Sequence, residues 1–186
     1  MAKDQPTRIL DGYTVIDFSQ VLAGPTVTRL MAELGAEIIK VELPPGGDRS
    51  RGLPFLQDGR SGYFVQQNRG KKSLCVDLKN PKGHSIVRDL LAKADVMVEN
   101  FAPGVIARLG FGYETVHALN PRLVMCSISL CGQAGPFAFK PGFDHIGASL
   151  AGVLDMTGEP NGPPLMNTMG VGDVSTGVHG FSAVLA

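Results

Sequence analysis

The chain has 186 residues, 44% of them hydrophobic and 18% charged, a balance that supports one core of ordinary domain size and excludes a disordered chain. Seventeen basic residues offset seventeen acidic ones, so no global field recruits nucleic acid or an anionic membrane, although a local basic patch can still bind phosphates. No apolar run approaches the roughly 20 residues of a membrane helix.

Strand and helix patterns alternate from the start. Tyr13–Phe18 is a β-branched and aromatic run that reads as a strand. Gly24-Pro25 then opens a helix with Val27, Leu30, Met31 and Leu34 at helical spacing, and Gly35 stops it. Ala36–Leu43 reads as the second strand. Residues 44–70 are rich in Gly, Pro and charge and read as a long loop, a feature that is often functional in compact domains. Ser73–Leu78 is a third strand, in which Cys75 is expected as a buried thiol. Asn80-Pro81 supplies an N-cap and a first-turn proline to a helix that buries Val87, Leu90, Leu91 and Ala94. Asp95–Phe101 is a fourth strand, Pro103–Leu109 and Tyr113–Leu119 are short helices, and Leu123–Leu130 is a fifth strand. Ile146, Leu150, Val153 and Leu154 mark a further helix. A Gly/Pro-rich loop spans 157–172, and a last helix starts near Asp173.

This order predicts an α/β fold with a Rossmann-like, doubly wound, mainly parallel sheet and helices on both faces. Such sheets bind ligands beyond the carboxyl ends of their strands, which puts weight on residues 19–25, 43–52, 99–105 and 130–144. The apolar run Gly180–Ala186 has no stop signal, so residues 1–186 are expected to be the N-terminal part of a larger domain, cut within a helix. Cys75, Cys126 and Cys131 form no C-x-x-C motif, and an odd cysteine count without a secretory signal predicts a cytoplasmic location.

Several common chemistries find no support. There is no P-loop, no G-x-G-x-x-G after the first strand, no H-E-x-x-H and no G-x-S-x-G, and no metal site is expected. His84 and His117 fall on predicted surface helices, where exposure is expected. The segment Gly172–Gly177 remains. Asp173 there reads as a helix N-cap whose carboxylate accepts backbone N–H groups. That reading does not exclude a second, in which the helix dipole keeps the carboxylate ionised and it attacks a carbonyl, with Gly172 letting a bulky substrate approach.

Six ordered segments resemble the family III CoA-transferases, the group that contains formyl-CoA transferase, carnitine CoA-transferase and α-methylacyl-CoA racemase. They are DFSQVLAGP (17–25), LGAEIIKVE (34–42), GGDRSRG (46–52), ADVMVENFAPGVIARLG (94–110), NPRLVMCSIS (120–129) and GVGDVSTG (170–177). The resemblance implies that Asp173 is the catalytic nucleophile. It implies CoA contacts from the backbones of Val21 and Ala23, from Asn100, Phe101 and Arg108, and from Val76, Lys79 and Lys140. Leu43 stands where the family often has arginine. Taken singly, Val21, Val76 and Phe101 also read as core, Asn100 as a turn residue, and Arg49, Arg51, Arg108, Lys79 and Lys140 as solvated charges.

The activity implied is acyl-CoA:carboxylate CoA transfer through an aspartyl covalent intermediate. Coenzyme A or its acyl thioester is the substrate, a small carboxylic acid is the acceptor, and no cofactor is tightly bound. The whole protein is implied to be an interlocked homodimer, with no nucleic-acid or membrane partner. In the racemase branch a Gly-His-Asp motif supplies a second base. Here the motif is Gly142-Phe143-Asp144, and phenylalanine accepts no proton, which favours transfer over racemisation. A non-catalytic CoA-binding fragment is the other alternative.

Overall fold

The computed structural model describes residues 8–166 and 170–186. The chain opens with strand β1 (Thr14–Asp17), helix α1 (Ala23–Glu33) and strand β2 (Glu37–Glu42). A 3-10 turn (Arg49–Gly52), a small hairpin of β3 (Leu56–Gln57) and β4 (Arg60–Ser61), and helix α2 (Gly62–Asn68) follow. Strand β5 (Lys72–Cys75), helix α3 (Pro81–Leu91), strand β6 (Val96–Glu99), helices α4 (Val105–Arg108) and α5 (Tyr113–Leu119) and strand β7 (Val124–Ser127) complete the main layer. Helices α6 (Asp144–Leu150) and α7 (Val171–Leu185) come last.

The main sheet has five strands in the order β5-β2-β1-β6-β7, and every pairing is parallel. Period-2 alternation splits the strand side chains between two cores. Ile16, Val41 and Met97 face Val87, Leu91, Ile106, Phe111 and Val116 from α3, α4, α5 and their connections. Val15, Ile38, Val96 and Val98 face Val27 and Met31 of α1, with Phe181 and Val184 of α7 packed behind. Val15, Val27, Val87, Met97 and Val98 are fully buried, so truncating the methionine to alanine would cost about 2–5 kcal/mol. Helices therefore cover both faces, as the doubly wound pattern requires. The chain builds outward from β1 through β2 to β5, then crosses back to β6. That reversal leaves a crevice beyond the carboxyl ends of β1 and β6.

Several sequence expectations are corrected. Residues 44–70 are not one loop: Asp48 caps the 3-10 turn through Ser50 N, and Ser61 Oγ caps α2 through Phe64 N. These elements are too short to show a hydrophobic period. Cys75 is exposed, because β5 is the edge strand. His84 is half-buried, stacked on Phe111 at 4.4 Å between ring centroids, while His117 is exposed. The last helix begins at Val171 with Gly170 as its cap, so Asp173 lies inside its first turn. Part of the expected 157–172 loop, residues 167–169, lies outside the described residues. The Asn80 cap is as read: its Oδ1 accepts from Lys82 N at 3.0 Å, and Pro81 opens the helix.

Candidate active site

The crevice at the switch point opens into a cleft of about 1000 Å³. One wall is the exit loop of β1, with Gln20, Val21, Leu22 and Ala23. A second is the exit loop of β6, from Asn100 to Val105. The third combines Ile128–Leu130, the 138–144 segment, one side of α6 and the start of α7 with Asp173.

Buried polar groups hold the first two walls. Asp17, at the end of β1, accepts through Oδ1 from Ser19 N at 2.8 Å and from Ser19 Oγ. Its Oδ2 accepts from Thr28 Oγ1 at 2.7 Å and from Lys71 Nζ at 3.0 Å. Burial pushes the Asp17 carboxyl up, but the Lys40 and Lys71 ammoniums and the two hydroxyls hold it well below the usual carboxylate range. Asn100 then ties the walls together: its Oδ1 accepts from Gln20 N at 2.7 Å and its Nδ2 donates to Gln20 O at 2.8 Å. One side-chain amide thus satisfies a whole backbone residue across the switch point. Glu99, 2% exposed, secures the same turn by accepting from Phe101 N at 2.8 Å, and burial pushes its carboxyl up.

Asp173 sits where α7 meets α6. Close packing fixes the helix: a β-carbon at Gly177 would lie 2.6 Å from Ala23 O and from Thr26 Cβ, so only glycine lets α7 approach α1 this closely. Asp173 is not the N-cap. Its backbone N donates to Asp144 Oδ1 at 2.8 Å, so the capping carboxylate comes from α6 and leaves the Asp173 side chain free of that task. Gly172 answers to the same neighbour, since a β-carbon there would lie 2.7 Å from Asp144 Oδ1. Burial first, and the Asp144 charge second, push the Asp173 carboxyl above its ordinary 3.8, with His145 partly offsetting them. The local field therefore opposes the ionising effect expected of the helix dipole.

The structure brings Val21, Ala23, Asn100, Phe101, Lys140 and Asp173 together on this cleft. Phe101 also packs against the core. Val76, Lys79 and Arg108 do not line it. Val76 packs against the core beyond β5, Lys79 is exposed in the turn before α3, and Arg108 is exposed in the last turn of α4, one turn beyond the cleft-lining Val105. Arg49 and Leu43 reach the rim, whereas Arg51 is taken by Glu42 through bonds of 2.7 and 2.6 Å.

Two neighbours of Asp173 escaped sequence reasoning, of which Asp144 lines the cleft and Tyr63 does not. Asp144 stood in view within Gly142-Phe143-Asp144, but its role as the acceptor for Asp173 N depends on the fold. Tyr63 lies on α2, inside the stretch read as loop; burial, then the charges of Asp173, Asp48 and Asp144, push its phenol up. His145 Nδ1 lies 3.6 Å from Asp144 Oδ2, yet His145 does not line the cleft.

Residues 10–186 match the family model described as CoA-transferase family III. The chain is 43% identical to the succinate–glutarate CoA-transferase of Agrobacterium fabrum, covering 98% of this chain and 48% of that protein. It is 40% identical to human (Homo sapiens) succinyl-CoA:glutarate CoA-transferase, covering 95% and 41%. It is 41% identical to the formyl-CoA:oxalate CoA-transferase of Rhodopseudomonas palustris, covering 93% and 41%. Among solved structures, a CAIB/BAIF family protein from Brucella suis superposes with a TM-score of 0.90 at 38% identity, over 96% of this chain and 48% of that one. The chain thus spans about half the length, or less, of the relatives it matches. Among the described residues no helix is long and apolar enough to cross a membrane.

Proposed function

Because this chain belongs to CoA-transferase family III, we propose that it carries the CoA-binding half and the nucleophile of an acyl-CoA:carboxylate CoA-transferase. The observation that supports this most directly is the position of Asp173. Its carboxylate is relieved of capping by Asp144, is partly desolvated, and lies on a cleft walled by both switch-point loops.

In this reading an Asp173 oxygen attacks the thioester carbonyl of the donor acyl-CoA. The C–S bond breaks, leaving an acyl–aspartyl anhydride and CoA thiolate. The thiolate attacks the Asp173 side-chain carbonyl, the donor carboxylate departs, and an aspartyl–CoA thioester forms. The acceptor carboxylate attacks that carbonyl and releases thiolate. The thiolate then attacks the acceptor's acyl carbon, which frees the new acyl-CoA and restores the Asp173 carboxylate. No net proton or electron is exchanged. A raised pKa makes the carboxylate more basic and hence more nucleophilic, and the mostly apolar residues lining the cleft disfavour the water that would hydrolyse the anhydride.

Coenzyme A lies along Val21, Ala23, Asn100 and Phe101, with Lys140 facing its charged groups. Arg108, Val76 and Lys79 lie outside the cleft and meet only its far end. Transfer is preferred over α-proton exchange because Phe143 accepts no proton and His145 does not line the cleft. The whole protein is a cytoplasmic homodimer with no tightly bound cofactor. The named relatives make succinyl-CoA, formyl-CoA, glutarate, succinate and oxalate the first donors and acceptors to test. The whole protein is incubated with each pair and the acyl-CoA products are read by mass spectrometry. New acyl-CoA from wild type but not from Asp173→Asn supports the reading. Turnover by Asp173→Asn, shown free of deamidation, overturns it.

A further inference from the structure

The loop between β1 and α1 contains a departure from ordinary sterics. Val21, a β-branched residue, has φ of 66°, a region such side chains rarely enter. Partners distant in sequence hold this loop. Lys40 Nζ donates to Ser19 O at 2.6 Å, Asn100 takes both backbone groups of Gln20, and Asp48 Oδ1 accepts from Val21 N at 3.2 Å.

Asp48 and Lys40 are themselves paired. Lys40 Nζ lies 2.9 Å from Asp48 Oδ2, and the Lys40 and Asp48 side chains are 2% and 0% exposed. Asp48 cannot swing away, because Oδ1 also accepts from Ser50 N and Ser50 Oγ at 2.8 Å each, and its own N donates to Glu42 Oε1 at 2.9 Å. A buried ion pair is weak evidence for stability, since apolar replacements of the same volume often fold as well. What this pair supplies is orientation. The Val21 carbonyl has no helical donor either, because the residue four positions on is Pro25, which lacks an N–H. Strain of this kind persists only where the surroundings over-determine it, and it concentrates at functional sites.

We propose that the buried Lys40–Asp48 pair is a positioning device that holds Val21 in its left-handed conformation and so aims the Val21 peptide into the CoA cleft. This rests on the functional reading above. Without the Asp48 acceptor, Val21 relaxes toward negative φ and the peptide that lines the cleft turns.

Glycine adopts positive φ without that penalty, which gives the test its logic. CoA affinity of the whole protein is measured by calorimetry for Asp48→Ala, for Val21→Gly and for the double variant, with thermal unfolding followed alongside. Asp48→Ala is expected to weaken CoA roughly 10-fold or more in the native background and at most about 2-fold in the Val21→Gly background. Equal losses in both backgrounds overturn the proposal, as does a lowered unfolding temperature with unchanged affinity. Lys40→Met is taken through the same cycle with the same expectation, so a folding failure of one variant leaves the other decisive. Hydrogen exchange at the Val21 amide separates the two ideas. Wild-type protein that does not bind CoA overturns the functional reading, whereas the pin itself is overturned by an exchange rate that Asp48→Ala leaves unchanged.

Discussion

The backbone N–H of Asp173 donates to Oδ1 of Asp144 across 2.8 Å, so one carboxylate caps the helix that carries the other. The contact joins residues 29 apart in sequence and puts a negative charge beside the proposed nucleophile.

That neighbour predicts a pH effect. Burial, and after it the Asp144 charge, raise the Asp173 carboxyl, while His145 lowers it. The carboxylate is the reactive form, so kcat/KM rises with pH through the raised pKa. Asp144→Asn keeps an oxygen for the Asp173 N–H but removes the charge, and moves this limb to lower pH. His145→Gln moves it to higher pH. Profiles of kcat/KM for the whole protein check both, and limbs that stay in place refute the assignment.

Asp173→Asn separates chemistry from stability. Transfer is expected to fall by roughly a thousandfold or more while CoA affinity holds, because the proposed CoA contacts lie on other segments. A carboxyl with a raised folded pKa binds its proton more tightly in the folded state. Its contribution is therefore most favourable below its unfolded pKa and is lost as pH rises through the folded one. Asp173→Asn is thus expected to raise the Tm at neutral pH, with the gain vanishing in acid. Calorimetric scans across pH read this directly.

Arg51 governs an acid limb of the opposite sign. Burial pushes Glu42 up, but hydrogen bonds from Arg51, Ser73 and Asp48 N lower its carboxyl from 4.5 to about 2. The stabilisation is complete above the unfolded value of 4.5 and is lost as pH falls toward about 2. Arg51→Met leaves a buried carboxylate short of its partner. It should cost about 1–3 kcal/mol at neutral pH and move acid unfolding to higher pH. Denaturant titrations at several pH values test this, and an unchanged acid midpoint counts against it.

The rim cations should divide by ligand part. Arg49→Ala and Lys140→Ala remove charges that line the cleft, and Arg108→Ala removes one a turn beyond Val105. All three should weaken CoA while sparing pantetheine analogues that lack the phosphates, by about 0.2–1 kcal/mol for each exposed charge. Competition binding with both ligands checks the set. Equal loss for CoA and pantetheine at any position removes that residue from the phosphate end.

Local rules were enough for much of the fold. Alternation in Val15-Ile16, the Asn80-Pro81 start of α3 and the run of βα units identified the five strands of the main sheet, their parallel sense and the loops at the switch point, because these follow from nearest-neighbour sterics and burial. The six family segments pointed to Asp173 before any coordinates. Val21 in the left-handed region was not legible, since its own preferences argue against it and the acceptor for its N–H, Asp48, lies 27 residues on. Nor was the burial of Lys40, a residue whose hydration normally keeps it at the surface and which enters the interior here because Asp48, Asp17 and Ser19 O meet it. Sequence by itself determined the layers and the place in the chain of the proposed nucleophile, through short-range pattern. The tertiary structure alone decided what surrounds Asp173, because the field there and the left-handed backbone of Val21 go with charges and acceptors distant in the chain and adjacent only in space.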